Sequence, residues 1–217
     1  MPKRFLGNIM TAAPTAPDGP YAIGAASGVW SLDEALSYTK GGQWPIAGNN
    51  PIALIARGQH TSGSPSHDDQ VDTVNIATTG NSSNFGDLSV ARISMNNCGS
   101  SSTRGIFAGG SKPSNARSDV IDYFTIQSAG NATDFGNLAA ANQNCTSVSS
   151  STRSVTGGGR ETDNTDRIQY VTIASTGNTT DFGNLLETKS EFGSTSSPTR
   201  GLFFAEGSGG SDDIEYI

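Results

Sequence analysis

The stretch GNATDFGNL, residues 130–138, occurs in three versions in this chain of 217 residues. GNSSNFGDL spans residues 80–88, and GNTTDFGNL spans residues 177–185. The phenylalanines of the three versions are 50 and then 47 residues apart. Periods of this size are typical of propeller blades and solenoid repeats. The phrase therefore predicts a repeat protein, whose function lies on the surface that the repeats present. A single buried catalytic cluster is disfavoured from the start.

Each version belongs to a longer repeat with strand-like parts on both sides. An alternating segment precedes each phrase, and a Ser/Thr-rich run ending in arginine follows it, leading into a short apolar segment that ends in glycine. Residues 52–58 form an earlier, degraded member of this apolar set. Alternation with β-branched and aromatic residues predicts strands. One unit therefore has three or four short strands. The alternating segments are residues 71–76, 121–126, 168–173 and an incomplete fourth, 214–217; the arginines are Arg104, Arg153 and Arg200.

The phrase itself combines a turn signal with an aromatic residue. Gly-Asn at its start supplies residues that tolerate positive φ, which a tight hairpin needs. The Phe-Gly pair that follows suits a ring wedged between stacked sheets, with the backbone bending past it. We therefore expect Phe85, Phe135 and Phe182 to be core residues rather than exposed platforms for a sugar or a base.

The sequence before residue 51 has a different composition. Residues 1–28 are rich in Pro, Ala and Gly and predict an extended arm. Residues 29–50 predict one short helix over residues 31–40, with Ser31 as N-cap, Glu34 completing a capping box, and glycines 41–42 ending it. Trp30 and Trp44 flank this helix. Either the two tryptophans dock the helix on the first repeat, or they anchor it in another protein. The sequence favours neither interpretation.

The predicted fold is therefore all-β over residues 51–217. It consists of repeats of about 47–50 residues, about three units and a fragment, preceded by the arm and the helix. The 27 glycines and the 15% of charged residues suit many short strands joined by turns.

Charge and hydropathy argue against several classes of partner. The net charge is −7 and the pI is about 4.7, so electrostatic attraction to nucleic acid is not expected. No apolar run approaches the roughly 18–20 residues that would cross a membrane. The N-terminal residues lack the apolar stretch of a signal peptide, so we expect assembly in a cytoplasm.

The sequence lacks the grouped Cys and His residues that a metal site or a cysteine nucleophile needs. Cys98 and Cys145 lie in corresponding regions of consecutive repeats, without the close spacing of ligand pairs, and His60 and His67 are the only histidines. We expect both cysteines to be free, buried thiols rather than a disulfide. A Cys-His nucleophile lacks a third activating residue. No catalytic, cofactor-binding or metal-binding residue is predicted.

Two sets of polar residues recur at fixed places in the repeat. We expect the repeated arginines to bridge a carboxylate or carbonyl groups between strands, rather than to bind a ligand. Asp134 and Asp181 precede the Phe-Gly pair in two units, and Asn84 precedes it in the third. Acidic turns before the alternating segments could hold calcium through oxygen ligands, but Asp and Asn also favour turns, which we prefer. These turns contain Asp68, Asp69, Asp119, Asp163, Asp166, Asp212 and Asp213.

The repeat pattern over residues 25–217 resembles kelch-type β-propeller blades. The amino-acid sequence of residues 121–126 and 130–138 is similar to repeats in virion proteins of tailed bacteriophages. Residues 26–45 resemble the segments that precede the repeats in phage fibre and tail-associated proteins. Propellers typically close with about 4–8 blades, more than the three units and a fragment seen here. An open sheet needs its edge covered or paired. We therefore expect a homo-oligomer, with a trimer as the first choice.

The resemblance implies a virion structural protein, located in the virion and not an enzyme. The N-terminal segment would attach to other virion proteins of the tail, neck or capsid, and the repeats would be displayed outward as a fibre or decoration component. One alternative is an adhesin that recognises glycan on the host surface. The other alternative is a kelch-fold enzyme acting on polysaccharide. An oxidase of this fold would need a set of Tyr and His copper ligands, which the sequence lacks. A spike protein that cleaves polysaccharide would need a pair of catalytic carboxylates, and none can be assigned.

Overall fold

The computed structural model describes residue 33 and residues 51–59, 67–95, 98–204 and 213–217. The chain divides into two compact units, Met1–Pro51 and Ile52–Ile217. Asp33 is helical, and the rest of the predicted helix, the arm and both tryptophans lie outside the described residues.

The second unit is all-β, as the sequence predicts, with four antiparallel sheets. Sheets 1 and 4 have three strands, and sheets 2 and 3 have four. Sheet 1 contains β1 (Ile52–Ala56), β2 (Gln70–Asn75) and β3 (Ser83–Asp87). Sheet 2 contains β4 (Cys98–Ser100), β5 (Arg104–Ala108), β6 (Ser118–Thr125) and β7 (Thr133–Asn142). Sheet 3 contains β8 (Thr146–Ser149), β9 (Arg153–Gly157), β10 (Thr165–Thr172) and β11 (Thr180–Lys189). Sheet 4 contains β12 (Gly193–Ser197), β13 (Arg200–Phe204) and β14 (Ile214–Tyr216).

Each sheet is a meander, because every strand pairs with its neighbour in the chain. A single 3-10 turn, Pro113–Asn115, is the one helical element of the described residues beyond Asp33. Residues 52–56 pair with β2 in the register that residues 104–108 use with β6. This shared register confirms that the segment beginning at Ile52 is a member of the repeat. The described residues contain no closed barrel or propeller.

Successive sheets are held together by apolar clusters that cross from one sheet to the next. The first cluster joins sheets 1 and 2, the second joins sheets 2 and 3, and the third includes residues of sheets 3 and 4. Along β5, Ile106 and Ala108 belong to the second cluster and Phe107 belongs to the first, because successive side chains of a strand point to opposite faces. The first includes Val71, Phe85, Phe107 and Phe124; the second includes Ile121, Phe135, Val171 and Ile173; the third includes Val148, Ile168, Leu185 and Phe203.

Two of the three phrase phenylalanines are core residues, as predicted. Phe85 is 5% exposed and Phe135 is 2% exposed. The prediction is wrong for Phe182, which is 41% exposed and makes an edge-to-face contact with Tyr170. The reason is tertiary: Phe135 packs in a cluster with Val171 and Ile173 of the following sheet, whereas the cluster that includes described residues of sheets 3 and 4 does not include Phe182.

Replacing Phe135 by alanine should therefore lower the free energy of unfolding by about 3–5 kcal/mol, since it removes a fully buried ring. The matched variant Phe182→Ala should cost clearly less, because that ring is already partly in water. Urea denaturation followed by circular dichroism measures both. Equal losses for the two variants would contradict the burial difference.

Candidate functional site

The surfaces between consecutive repeats bring the repeated residues together, beginning with a β-bulge at the Phe-Gly pair. In sheet 2, Ile121 lies opposite Gly136 and Asp122 lies opposite Asp134, so Phe135 is the extra residue. Phe85 and Phe182 are extra in the same way in sheets 1 and 3. A bulged residue is left unpaired in its own ladder. Its backbone carbonyl is therefore available to the neighbouring repeat.

The next repeat uses that carbonyl. The N–H of Gly130 donates to the Phe85 carbonyl at 2.8 Å, and the N–H of Gly177 donates to the Phe135 carbonyl at 2.7 Å. Two residues further on, the N–H of Ala132 donates to the Asp87 carbonyl at 2.8 Å. The equivalent bond, from Thr179 to Asn137, measures 3.0 Å in the next interface.

The asparagines of the second and third Gly-Asn pairs, Asn131 and Asn178, complete this connection. The Oδ1 atom of Asn131 accepts the N–H of Asp87 at 3.2 Å, and Oδ1 of Asn178 accepts the N–H of Asn137 at 3.0 Å. The pair was predicted to form the tight hairpin turn itself, and this is wrong. The turns lie just before it, where Ser128 donates to Thr125 and Ser175 to Thr172. Gly-Asn instead binds one repeat to the one before.

Close approach explains why glycine follows Phe85 and Phe135. A Cβ atom on Gly86 would overlap the carbonyl group of Gly130, and one on Gly136 would overlap that of Gly177. Gly136 also has a backbone φ angle of 146°, which residues other than glycine rarely adopt. At Gly183 a Cβ would meet nothing within 4 Å. Among the described residues, no Gly-Asn backbone lies against Gly183 as those of Gly130 and Gly177 lie against Gly86 and Gly136.

Gly86→Ala should destabilise the protein by about 1–3 kcal/mol, because the added methyl group must push the next repeat away. Gly80→Ala is the matched control, since a Cβ there meets nothing within 4 Å. Thermal unfolding monitored by calorimetry should show a lower melting temperature for Gly86→Ala and little change for the control. An unaltered melting temperature in both variants would mean that the repeats separate without cost.

A buried ion pair crosses the first interface. Arg92 and Asp122 both have fully buried side chains, and Nη2 of Arg92 lies 2.5 Å from Oδ2 of Asp122. Nη1 of Arg92 also donates to the carbonyl groups of Gly109 and Val120 at 2.9 and 2.7 Å. Burial lowers the pKa of the Arg92 guanidinium, and Asp122 opposes that shift. A guanidinium can satisfy several acceptors in one plane, which suits this position.

Corresponding positions carry different chemistry at the later interfaces. The second interface is neutral: Nδ2 of Asn142 donates to the Gly158 carbonyl at 2.9 Å, and Oε1 of Gln169 accepts the N–H of Ala139 at 3.0 Å. The third is charged again, with Nζ of Lys189 lying 2.5 Å from Oε1 of Glu215. Asp122 and Glu215 accept N–H groups in the same way as Gln169, from Ser89 at 3.3 Å and from Leu186 at 2.7 Å.

Asp122→Asn should lower stability by about 3–5 kcal/mol, because it leaves the buried Arg92 charge without a carboxylate. Asp72→Asn is the matched control, as Asp72 occupies the equivalent position in sheet 1 but pairs with the more exposed Arg57. Chemical denaturation should show little change for the control, since exposed ion pairs contribute little. Equal tolerance of both changes would show that the Arg92 charge finds other acceptors.

The repeated arginines form a row of stacked pairs rather than bridges to Asp134 or Asp181. The guanidinium carbons of Arg104, Arg153 and Arg200 lie 4.4, 4.5 and 4.9 Å from the ring centroids of Tyr123, Tyr170 and Tyr216. The carbonyl part of the prediction holds for Arg104, whose Nη1 donates to Ile173 of the next sheet at 2.9 Å. Such stacking fixes a cation against an aromatic face.

The other candidate residues have local roles. Oδ1 of Asp68 accepts the N–H of Gln70 at 3.0 Å, the arrangement of a turn residue. Within residues 51–59, 67–95, 98–204 and 213–217, no three His, Cys, Asp or Glu side chains are grouped to hold a metal ion. His67 is buried in the body; His60 and Asp212 lie outside the described residues.

No helix in the described part of the chain is long and apolar enough to cross a bilayer.

Neither Cys98 nor Cys145 forms a disulfide, and one of the two differs from its prediction. Cys145 is buried, as expected, and burial raises its pKa to about 12. Cys98 is exposed rather than buried, because it lies on β4, the three-residue strand at the edge of sheet 2.

Sequence reasoning missed the buried polar residues of the interfaces. Arg92, Asn142 and Lys189 are spaced by the same 50 and 47 residues as the phenylalanines. That spacing was a usable signal, but the three residue types differ, so the position did not stand out as a repeat.

Comparison with known proteins adds no relative. No protein-family model matches the chain, and no curated protein has a significantly similar sequence.

The last interface is incomplete on the side of β11. A cavity of about 260 Å³ opens between sheets 3 and 4. It is lined by the exposed Phe182 ring, by Arg153 and Arg200, and by Val148, Val155 and Ile217. Two cations and several apolar side chains thus surround an open space at the position where the earlier interfaces are filled.

Proposed function

We propose that this chain is a structural protein of a tailed-bacteriophage virion. Its N-terminal segment would attach to other virion proteins of the tail, neck or capsid, and its β-repeat body would be displayed outward as a fibre or decoration component. The proposal rests on the similarity of residues 121–138 to repeats of such virion proteins. The series of sheets joined by one repeated main-chain connection supports it, because that construction suits a mechanical spacer.

The finer fold in this proposal is a set of kelch-like blades. Sheets 2 and 3 are four-stranded antiparallel meanders, which is the form of a propeller blade. Consecutive sheets share apolar clusters, as neighbouring blades do. The proposal includes a homo-oligomer, of which a trimer is the first choice, because virion fibres are usually symmetric assemblies.

We further propose that the chain is not an enzyme and acts through its surfaces. The fully or largely buried ionisable groups Arg92, Asp122, Lys189 and Glu215 are engaged in pairs between repeats. Their geometry serves cohesion of the body. Recognition of a host glycan remains the second expectation from the sequence, and no described contact favours it over attachment.

Deleting residues 1–28 should leave the repeat body folded and abolish incorporation into particles. We expect this outcome because residues 52–217 form their own compact unit, and because the Pro-, Ala- and Gly-rich composition of residues 1–28 suits attachment to a partner surface. Purified particles are assayed by immunoblotting and by immunogold electron microscopy with an antibody against the body.

A variant with the arm residues in scrambled order is the control, since it keeps length and composition. It should be excluded from particles as well, while the body retains its melting temperature. Full occupancy by the deletion variant would place attachment in the repeats. Absence of the intact chain from every particle would overturn the virion assignment itself.

A further inference from the structure

The buried cation of the third interface differs chemically from that of the first. At the first interface, Arg92 lies against Asp122. The equivalent residue of the third interface, Lys189, lies against Glu215. A guanidinium stays protonated in proteins and acts as a fixed cation, whereas a lysine amine becomes a nucleophile when it gives up a proton. The pair at the third interface is therefore able to react, and the pair at the first is not.

The amine and the carboxyl group of the third interface are in contact at a place that excludes water. The side chain of Lys189 is 2% exposed and that of Glu215 is 8% exposed, and Nζ lies 2.5 Å from Oε1. Oε1 nevertheless accepts no hydrogen bond of good geometry, so this contact is not a well-aligned ion pair. Because Oε1 is bonded to Cδ, the amine also lies beside the carbon that it would attack. Holding two reacting groups together in this way removes the entropic cost of bringing them into contact.

A backbone donor binds the other oxygen of the same carboxyl group. The N–H of Leu186 donates to Oε2 of Glu215 at 2.7 Å. Attack of an amine on Cδ would place negative charge on Oε2. A fixed N–H donor in a water-excluded site stabilises charge that develops on such an oxygen. The contacts therefore distinguish the two oxygens: Oε2 is held in place, and Oε1 is free to leave.

We propose that Nζ of Lys189 and Cδ of Glu215 form an isopeptide bond, which joins β11 of sheet 3 to β14 of sheet 4. One proton passes from Nζ to Oε1, and the neutral amine then attacks Cδ. The N–C bond forms, the bond between Cδ and Oε1 breaks, and Oε1 leaves as water with a second proton from Nζ. The third proton stays on the amide nitrogen, and Oε2 becomes the amide oxygen. The step is a condensation that needs no oxidant and no second substrate.

The inference goes beyond the proposed function and does not depend on it. Condensation removes two charges from the protein interior, where their desolvation is unfavourable. The bond lies within one chain, so purified protein tests it without any particle. Its absence would leave the virion assignment standing, and failure of the chain to enter particles would leave the bond standing.

Electrospray mass spectrometry of the intact, full-length chain measures the bond directly. The expected mass is lower than that of the sequence by one water molecule. Lys189→Arg should restore the full mass, because it keeps a cation like that of Arg92 but cannot condense. Lys112→Arg is the matched control, since it changes a lysine between β5 and β6, and it should keep the loss of water. Peptide mapping should recover the segments around Lys189 and Glu215 as one branched peptide.

Glu215→Ala is the second variant, and it should also restore the full mass because it removes the carbon that is attacked. Circular dichroism shows which variants remain folded, and the mass of the unaltered chain decides the question by itself. The proposal is overturned if the folded, unaltered chain has the full mass of its sequence. A loss of water that persists in both Lys189→Arg and Glu215→Ala, as ring closure at an aspartate would give, overturns it equally.

Discussion

The hydrogen bonds from Gly130 and Gly177 to the carbonyl groups of the bulged Phe85 and Phe135 are the contacts on which the described body depends. They form only because the bulge removes the two phenylalanines from their own ladders. Glycine is then required at positions 86 and 136, since any side chain there would meet the incoming backbone. One short phrase thus supplies both the receiving edge of one repeat and the inserted turn of the next.

Apolar contacts alone would leave the packing of one sheet on the next weakly specified, because all three clusters consist mainly of aliphatic side chains and phenylalanine. The buried polar positions differ from one interface to the next. Arg92 faces Asp122, the second interface is neutral, and Lys189 faces Glu215. A wrong pairing would bury an unpaired charge, which is far more unfavourable than a poor apolar fit. We infer that these residues select the register of the repeats as much as they stabilise it.

A body whose repeats join through main-chain contacts can present outward faces without changing its core, as a displayed virion component needs. Within the described residues, Phe85 and Phe135 are covered by the sheet that follows them, whereas the Phe182 ring on β11 is 41% exposed.

The sequence by itself determined the period, the all-β class and most strand positions, because these depend on local alternation and on a phrase repeated at 50 and 47 residues. It also identified Phe85 and Phe135 as core. Tertiary structure decided the rest. Whether Phe182 is buried depends on a neighbour that local pattern does not report, and the role of Gly-Asn depends on contacts with residues more than 40 positions away. The partners of Arg92 and Lys189 were also beyond the sequence, because only the packing of two sheets brings a buried charge and its counter-ion together.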